Sequence, residues 1–228
     1  MNIGIVGWHD GLAGQIDSWY ENSEEIKVRL FISPDKTPLD AKHIKRATKN
    51  FSYPQLGRLK DKDLIIDPEW YLNMRTLEID AVIIAISDPI LRLEQIRLAR
   101  ENSIKIVNAI HPTCIIGQDC SIGTGVILCS GVIVGYKCEI QEGVLVNTGA
   151  QIDHHGVIER GVTIDPGCLL AGNVQVQELA QIHTGATIIN RISIGKGTVI
   201  GAGALILKNA EPHSVYYGVP AKRIRAND

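Results

Sequence analysis

Three of the seven histidines stand where their side chains could do chemistry: His154 and His155 are adjacent, and His183 follows further along the chain. An imidazole has an ordinary pKa of about 6.5, so a positioned histidine takes a proton from an attacking amine or hydroxyl near neutral pH. Three histidines drawn from neighbouring subunits also hold zinc in some enzymes. A histidine in a turn is often only a solvated residue. The elements that position these side chains decide among the alternatives.

All three histidines lie in a six-residue repeat that runs from Cys114 to Asn209 without insertion or deletion. The third residue of every hexad is Ile, Leu or Val, from Ile116 through Ile206, and the first is small or medium-sized. Two inward residues separated by one outward residue is the period of a strand, and the remaining positions tolerate a bend. No helical face has this spacing. The repeat therefore predicts stacked short strands joined by corners, each coil depending on its neighbour.

Residues 1 to about 110 alternate strand and helix signals, which predicts a small parallel sheet with helices on its faces. A helix is expected around Leu12 to Asn22. A second helix has Ser87 or Asp88 as its cap and Pro89 in its first turn. Its apolar stripe is formed by Ile90, Leu93, Ile96 and Ile104. The predicted strands are IGIV (Ile3 to Val6), VRLFIS, AVIIAIS and KIVNAI.

The turn after the first strand, residues 7–11, offers backbone amides at a helix N-terminus, where phosphate groups bind. It lacks the G-x-G-x-x-G spacing, so a dinucleotide site is not predicted. An ordinary strand-to-helix turn has the same appearance. The segment 38–79 mixes basic residues with Tyr53, Trp70 and Tyr71. A solvated helix and loop is the favoured interpretation there, with nucleotide binding as the alternative.

Composition excludes several classes of function. The 228 residues, 45% of them hydrophobic, suffice for two modest domains, and a net charge of −2 argues against a nucleic-acid surface. No long apolar run or basic leader is present, so we expect a soluble, cytoplasmic protein without membrane insertion. Cys114, Cys120, Cys138 and Cys168 occupy first positions and are expected to point inward, whereas Cys129 points outward. The sequence has no CxxC pair, so neither a zinc site nor a disulfide framework is expected.

Four features together resemble one family. They are the hexads, the linker Asn108 to Pro112, the segment GAQIDH ending at His154, and the terminal GVPAKRIR, residues 218–225. The chain resembles, over nearly its whole length, the bacterial sialic acid O-acetyltransferases and UDP-4-amino-sugar N-acetyltransferases. The resemblance implies an α/β, Rossmann-like nucleotide-sugar-binding domain over residues 1–110. It also implies a left-handed parallel β-helix of hexapeptide repeats over 111–228, with eighteen-residue coils and a C-terminal tail, which binds acetyl-CoA. The implied assembly is a homotrimer with active sites between subunits.

The resemblance also assigns roles to individual residues and implies no metal site. His154 is the catalytic base, with Asn147 and Asp153 as its catalytic companions. The turn after the first strand and the acidic position after the second bind the nucleotide sugar: Gly7, Trp8, His9, Asp10, Gly11 and Asp35. The cofactor positions are Thr163, Gly172, His183, Gly201, Ala202, Lys222 and Arg223. A frayed basic terminus is the alternative for the last two.

A coil of eighteen residues predicts which side chains stack. His154 then lies between Tyr136 and Gly172, and Gly172 leaves space beside the imidazole. Asn147, Asp165, His183 and Gly201 form one outward column. The chain departs from the family at His155, where an acidic residue commonly orients the base, so we expect Asp153 or a backbone carbonyl to do so. Thr163 stands where some members carry a second histidine.

The predicted activity is acetyl-CoA-dependent N-acetylation of a nucleotide-linked amino sugar, a UDP-linked 4-amino-4,6-dideoxy sugar of bacterial surface glycan biosynthesis. O-acetylation of a sialic acid or related sugar is the alternative. Two other classes stay open. One is a zinc enzyme of the carbonic anhydrase type that uses His154, His155 and His183. The other is a non-catalytic trimeric scaffold.

Overall fold

The computed structural model describes residues 1–7, 10–34, 58–59 and 61–227. The chain forms two compact units. The first comprises Met1–Ser87 and Glu94–Val107, and the second comprises Asp88–Leu93 and Asn108–Asp228.

The first unit is built on a five-stranded sheet with the order β3-β4-β2-β1-β5. Neighbouring strands are parallel except for the short β3, which is antiparallel to β4. The central strands are apolar and buried, as expected when both faces of a parallel sheet are covered. The strands are β1 (Asn2–Val6), β2 (Lys27–Ser33), β3 (Arg58–Leu59), β4 (Lys62–Ile66) and β5 (Ala81–Ile84).

In the described ranges, four helical segments accompany the strands. A π-helical turn, Asp10–Gly14, runs directly into α1 (Gln15–Trp19), and a 3-10 turn spans Trp70–Leu72. The first predicted helix therefore starts earlier than Leu12 and ends at Trp19, short of Asn22. The longest helix is α2 (Pro89–Glu101), and its cap is Asp88, whose Oδ1 accepts a 2.8 Å hydrogen bond from the Leu91 amide.

The apolar stripe predicted for α2 is correct in part. Leu93 and Ile96 are buried, but the Ile90 side chain is 68% exposed and Ile104 lies beyond the end of the helix. Arg92, Ile96 and Ala99 define the buried face at helical spacing. Ile90 precedes Arg92 by two positions, which places it almost opposite on the helix.

The predicted strand KIVNAI divides between two elements. Ile106 makes a single parallel bridge to Val82, whereas Ala109–Ile110 forms β6 and pairs with a strand of the hexad region. The Asn108 side chain explains the change, because its amide donates to the Gly123 carbonyl and its Oδ1 accepts from the Val126 amide. Asn108 thus serves as the first residue of an additional hexad that precedes Cys114.

The segment 38–79 contains sheet that the sequence did not predict. Strands β3 and β4 lie within it, while Tyr53 is outside the described residues. Trp70 is fully buried, and its Nε1 donates a 2.8 Å hydrogen bond to Oε1 of Gln95. Trp70 is therefore a core residue of the first unit.

The hexads form a parallel β-helix with three faces. Face 1 contains β6, β9 (Ile127–Leu128), β12 (Leu145–Val146), β15 (Thr163–Ile164), β18 (Gln181–Ile182) and β21 (Val199–Ile200). Face 2 contains β7 (Ile115–Ile116), β10 (Ile133–Val134), β13 (Gln151–Ile152), β16 (Leu169–Leu170), β19 (Thr187–Ile188) and β22 (Leu205–Ile206). Face 3 contains β8 (Ser121–Ile122), β11 (Glu139–Ile140), β14 (Val157–Ile158), β17 (Gln175–Val176) and β20 (Ser193–Ile194).

Paired residues on adjacent coils confirm the predicted register, as in Ile133 opposite Gln151 and Gln151 opposite Leu169. Third-position side chains such as Ile152 fill one continuous core, and the exceptions are in the first coil, where Ile116 is 39% exposed and Ile122 is partly buried. That coil has no complete coil before it among the hexads, so its inward side chains stay partly open.

The burial of the cysteines also depends on the coil in which they lie. Cys138 and Cys168 are buried in the core, and Cys114 and Cys120 are half-buried in the first coil. Cys129 points outward as predicted, with its Sγ 3.7 Å from Oδ1 of the outward Asn147, but it is fully buried all the same. Burial raises the pKa of the Cys129 thiol to about 12, so this thiol is not a nucleophile near neutral pH.

The corners depend on left-handed backbone. The sixth residue of each hexad from Asp119 to Gly203 has a positive φ, which turns the chain from one face to the next. Glycine holds most of these positions at the other two corners, but the corner between faces 2 and 3 uses residues with side chains: Asp119, Lys137, His155, Asn173 and Arg191. A side chain in this conformation costs about 1–2 kcal/mol relative to glycine.

The C-terminal tail is an ordered hairpin. β23 (Ser214–Gly218) continues face 1 in parallel with β21, and β24 (Ala221–Ala226) returns antiparallel to it. The Val219–Pro220 peptide between them is cis. The alternative of a frayed terminus is therefore wrong. Within the described part of the chain, no helix is both long and apolar enough to cross a membrane.

Candidate functional site

The imidazole of His154 stands at the corner that follows β13, between faces 2 and 3, and is exposed. Its ring lies directly against the α-carbon of Gly172, one coil further on. A β-carbon at residue 172 would collide with Cε1 and Nε2 of the ring. The predicted stacking of His154 on Gly172 is confirmed, and only a glycine there admits the imidazole in this position.

The second contact of the His154 ring is with His155. The two Nδ1 atoms are 3.1 Å apart, and the ring planes are nearly perpendicular. The His155 ring also meets the edge of the Tyr136 ring, with centroids 5.8 Å apart. Two imidazoles and a phenol therefore form one cluster at this corner.

Asp153 takes a different position from the one expected of an orienting carboxylate. Its Oδ1 accepts a 2.7 Å hydrogen bond from the backbone amide of His154. The carboxylate thus fixes the main chain at the start of the corner. The contact to the imidazole itself comes from His155, whereas Asp153 or a backbone carbonyl was expected.

The predicted outward column on face 1 is a hydrogen-bonded chain. Nδ2 of Asn147 donates to Oδ1 of Asp165 at 3.4 Å, and Nδ1 of His183 donates to Oδ2 of the same carboxylate at 2.8 Å. The hydrogen bond to Asp165 raises the pKa of His183 above its ordinary value. Asn147 precedes β13 and His154 follows it, so one chain holds these two residues on opposite sides of face 2.

The end of this column is covered by the tail. A β-carbon on Gly201 would collide with the ring of Tyr217, which lies on this glycine. The sequence analysis left the space over Gly201 for the cofactor, and in the structure an aromatic side chain fills it. Ala202 is exposed at the following corner, and nothing lies within 4 Å of a β-carbon built on Gly203. Tyr217 is a residue that the sequence analysis missed, because the tail has no repeat to place it.

Thr163, a predicted cofactor contact, is bound by a buried cation. Nη2 of Arg92 donates to Oγ1 of Thr163 at 3.0 Å and to the Gly161 carbonyl at 3.1 Å, and Nε donates to the Gly143 carbonyl at 2.7 Å. Burial lowers the pKa of Arg92 to about 10, which leaves the guanidinium charged at neutral pH. The Thr163 hydroxyl is therefore already engaged.

The two basic residues of the tail differ in their partners. On β24, Nε of Arg223 donates to Oγ of Ser214 at 2.9 Å and lies 3.3 Å from a carboxylate oxygen of Glu211. Lys222 is exposed on the same strand and pairs with Tyr217 across the hairpin. The expectation that Arg223 meets the cofactor phosphates thus competes with a carboxylate that already contacts it.

The predicted nucleotide turn is described in part. Gly7 follows β1 with φ at 147°, and a β-carbon there would collide with the carbonyl oxygen of Ala85, so this position requires glycine. Trp8, His9 and Asp35 lie outside the described residues, as does the side chain of Asp10. Gly11 lies in the π-helical turn.

Ser33 ends the neighbouring strand β2 with a buried hydroxyl, for which the described residues supply no hydrogen-bond partner. The carboxyl ends of parallel strands are where such sheets bind ligands, so Ser33 adds to the predicted turn site. The sequence analysis missed it because the strand reads as a plain apolar run.

A groove of about 550 Å³ runs along the outer surface of face 2 and reaches Asp153, next to His154. Its walls are largely apolar: Ile133, Gly135, Gln151, Ile152, Asp153, Leu169, Leu170, Ala171, Thr187, Ile188, Ile189 and Asn190. Within the described ranges, no three His, Cys, Asp or Glu side chains come together as a metal site.

A parallel α/β sheet unit followed by a hexapeptide β-helix defines a structural class, and comparison with known proteins places the chain in it. No family model matches the sequence, and no curated protein matches it either. Solved structures do match, over nearly the full chain. The fold is that of the hexapeptide-repeat nucleotide-sugar N-acetyltransferases, with an α/β N-terminal unit and a left-handed parallel β-helix, which confirms the resemblance stated from the sequence.

Three of these structures are similar along their whole length. Perosamine N-acetyltransferase (PerB) from Caulobacter crescentus, in complex with CoA and GDP-perosamine, is 25% identical with a TM-score of 0.83, covering 98% of this chain and 97% of that one. The acetyltransferase domain of PglB from Neisseria gonorrhoeae is 22% identical, with a TM-score of 0.84 and coverage of 98% and 99%. WeeI from Acinetobacter baumannii is 22% identical, with a TM-score of 0.78 and coverage of 98% and 100%.

Proposed function

We propose that this protein is an acetyl-CoA-dependent N-acetyltransferase that acts on the amino group of a nucleotide-linked sugar. The observation that carries the proposal is the full-length match at 25% identity to a GDP-perosamine N-acetyltransferase, with TM-score 0.83. The exposed imidazole of His154, held between Gly172 and His155, supplies a base of the kind that the reaction needs.

The reaction needs two proton transfers, one from the attacking amine and one to the leaving thiolate. The sugar amine must be neutral to attack, so Nε2 of His154 accepts its proton as the nitrogen bonds to the thioester carbonyl carbon. The carbon–sulfur bond then breaks, and the imidazolium returns the proton to the leaving thiolate. The products are the sugar amide and free CoA. Holding both substrates beside one imidazole removes the entropic cost of bringing them together.

The acceptor is proposed as a nucleoside diphosphate-linked 4-amino sugar, with UDP or GDP as the nucleotide. The turn at Gly7 and the buried Ser33 hydroxyl lie at the carboxyl ends of adjacent parallel strands, a common place for nucleotides. Free thiols at all five cysteines and dependence on acetyl-CoA fit a reducing, cytoplasmic setting.

We propose a homotrimer whose active sites lie between copies. Face 2 exposes apolar side chains, with Ile115 62% and Leu169 44% accessible beside the apolar groove. Large exposed apolar patches mark association surfaces. Because Asn147 and His154 flank face 2 on opposite sides, packing of neighbouring copies brings an Asn147 column near a His154 corner.

The assembly is tested by light scattering on the wild type and on Leu169→Glu, with Gln175→Glu on the polar face 3 as the matched control. We expect a trimer for the wild type and the control, and a monomer for Leu169→Glu. A wild-type monomer at micromolar concentration would contradict the proposed assembly.

The function is tested by measuring free thiol release from acetyl-CoA against a panel of acceptors. The panel contains UDP- and GDP-linked 4-amino sugars, the matching 4-hydroxy nucleotide sugars, and free sialic acid. We expect release only with an amino nucleotide sugar, with the acetyl group on nitrogen by mass spectrometry. Release with sialic acid alone would replace the proposal by O-acetylation, and a failure to bind acetyl-CoA would favour the scaffold.

A further inference from the structure

The contact between His154 and His155 constrains the tautomers of both rings. Their Nδ1 atoms lie 3.1 Å apart, so one nitrogen carries the proton and the other accepts it. A histidine that works as a base through Nε2 must carry its own proton on Nδ1. His154 is then the donor, and His155 is a neutral imidazole protonated on Nε2.

We propose that His155 is the positioning residue for the base, through a neutral imidazole acceptor in place of a carboxylate. The proposal rests on His154 being the base in the proposed acetyl transfer. His155 turns the His154 ring, fixes its tautomer and keeps the Nε2 lone pair directed away from the His154–His155 dyad, on the ring edge that lies beside Gly172.

The corner holds both rings in place. His155 has a left-handed backbone with φ of 56°, and its amide donates a 2.8 Å hydrogen bond to the Tyr136 carbonyl. Its ring packs against the edge of the Tyr136 ring. On the far side, the His154 ring lies against Gly172, where a β-carbon would collide with Cε1 and Nε2. The His155 conformation is one that glycine would adopt with less strain, so the side chain is kept at an energetic cost.

With a neutral acceptor, the His154–His155 dyad can take up one proton and still keep its hydrogen bond. When Nε2 of His154 takes the proton of the amine, Nδ1–H still donates to neutral His155, and the positive charge stays on one ring. A second proton would convert Nδ1 of His155 into a donor and break the contact. A carboxylate at residue 155 would stabilise the imidazolium more strongly, since an opposite charge favours the charged form.

Other titratable and charged groups around the dyad are already engaged or belong to neighbouring coils. Asp153 is hydrogen-bonded to the His154 backbone amide, and Nζ of Lys137 lies 5.1 Å from the centroid of the Tyr136 ring. Arg191 lies in the same corner column as His155, two coils further on. Its amide donates a hydrogen bond to the Gly172 carbonyl. Among the described residues, the titratable and charged groups at this corner and its neighbouring coils are Tyr136, Lys137, Asp153 and Arg191.

Four variants distinguish the effect of the hydrogen-bond acceptor at residue 155 from the effect of its left-handed backbone. His155→Gly removes the acceptor and relaxes the backbone, whereas His155→Asn keeps an acceptor oxygen on a residue that tolerates a left-handed backbone. His155→Glu supplies a charged acceptor. Asn173→Gly, at the equivalent corner of the next coil with φ of 59°, makes the same backbone change at a residue hydrogen-bonded to His154 through its main-chain amide, and is the matched control.

For His155→Gly we expect kcat to fall by about 10- to 100-fold, with the KM values nearly unchanged and no loss of thermal stability. Asn173→Gly should keep wild-type kcat, and His155→Asn should recover most of the activity. His155→Glu should move the acidic limb of the pH–rate profile to higher pH, since a more basic imidazole stays protonated longer. Full activity of His155→Gly with an unchanged pH profile would overturn the proposal.

A measurement without substrate separates this proposal from the proposed function. In long-range ¹H–¹⁵N spectra of wild type, with His154 assigned by its absence in His154→Ala, we expect the Nδ1–H tautomer. In His155→Gly, we expect the Nε2–H form to appear. An Nε2–H tautomer in the wild type would refute the dyad even if the enzyme is active. An inactive His155→Gly with an unaltered tautomer would also refute it.

Discussion

Two corners of the same β-helix use their polar side chains in opposite ways. Between faces 3 and 1, fifth-position residues alternate in charge along the stack: Glu142, Arg160, Glu178 and Lys196. Arg160 lies 3.7 Å from Glu142 and 3.5 Å from Glu178, and Lys196 lies 2.7 Å from Glu178. We call this set the charge ladder. Each of its charges is matched by the coil above or below.

The histidine corner, which comprises Tyr136, His154, His155 and Gly172, follows a different rule. The residue stacked on His154 is a glycine, so no side chain from the next coil pairs with the imidazole. Its ring partner is the next residue in the chain, and His154 as a whole is exposed. One backbone geometry therefore makes either a paired structural stack or an available reactive group, depending on which residue the repeat places eighteen positions away.

The largest expected effect comes from a substitution in the β-helix core, on which both corners depend. Ile152 is 1% exposed and lies one residue before Asp153. Ile152→Asp buries an unpaired carboxylate, which costs several kcal/mol, about as much as a domain's whole stability. We expect loss of the cooperative thermal transition. Gln151→Asp, on the outward side of the same strand, is the control and should keep a cooperative thermal transition. A wild-type melting temperature for Ile152→Asp would contradict the assigned register.

A smaller change should affect only the histidine corner. Gly172→Ala places a methyl group where the His154 ring lies, so the ring must move while the backbone stays. We expect kcat to fall about tenfold or more, with melting temperature unchanged or slightly raised, since alanine restricts the unfolded chain. The same change made in a His154→Ala background should have no further effect on rate. Wild-type turnover in Gly172→Ala would show that the ring position is unimportant.

The smallest effect concerns the His183–Asp165 pair, which resembles the charge ladder in being paired across coils. Its hydrogen bond raises the pKa of His183 in the folded state, so the pair stabilises the protein at a pH below the unfolded value of about 6.5. That stabilisation is lost as the pH rises through the folded value. Both side chains are partly exposed, so we expect less than about 1 kcal/mol.

The check is denaturant unfolding of wild type and Asp165→Asn between pH 5 and pH 9. The difference in unfolding free energy should be largest near pH 5 to 6 and should vanish on the alkaline side. A difference that grows with pH would contradict the assigned direction.

The periodic parts of this protein could be predicted from sequence because periodicity is a backbone property. The third-position ladder fixed the core, and the coil of eighteen fixed the stacking of His154 on Gly172 and of Asn147 on Asp165. Asn108 was missed as the start of a hexad because a polar residue stands where the other hexads have small or apolar ones. Strand β4 was missed because Lys62 and Asp63 obscure a short apolar run.

The contacts that could not be predicted depend on side-chain conformation or on irregular chain. Adjacency of His154 and His155 in sequence does not say that their Nδ1 atoms meet, because the left-handed corner sets that geometry. Tyr217 reaches Gly201 because β23 adds to face 1 in parallel with β21, outside the eighteen-residue register of the repeat. The burial of Cys129 likewise depends on what covers face 1, which the hexad register does not encode.

The most direct measurement compares the two corners in one assay. Thiol release from acetyl-CoA with the amino nucleotide sugar is measured for wild type, His154→Ala, His183→Ala and Arg160→Ala, each with its melting temperature. We expect at least about a hundredfold lower kcat for His154→Ala, at unchanged melting temperature and acetyl-CoA affinity. Arg160→Ala should turn over like wild type, with a small, salt-sensitive change in stability. Turnover of His154→Ala within tenfold of wild type, or a hundredfold loss in His183→Ala alone, would contradict the assignment of the base to the histidine corner.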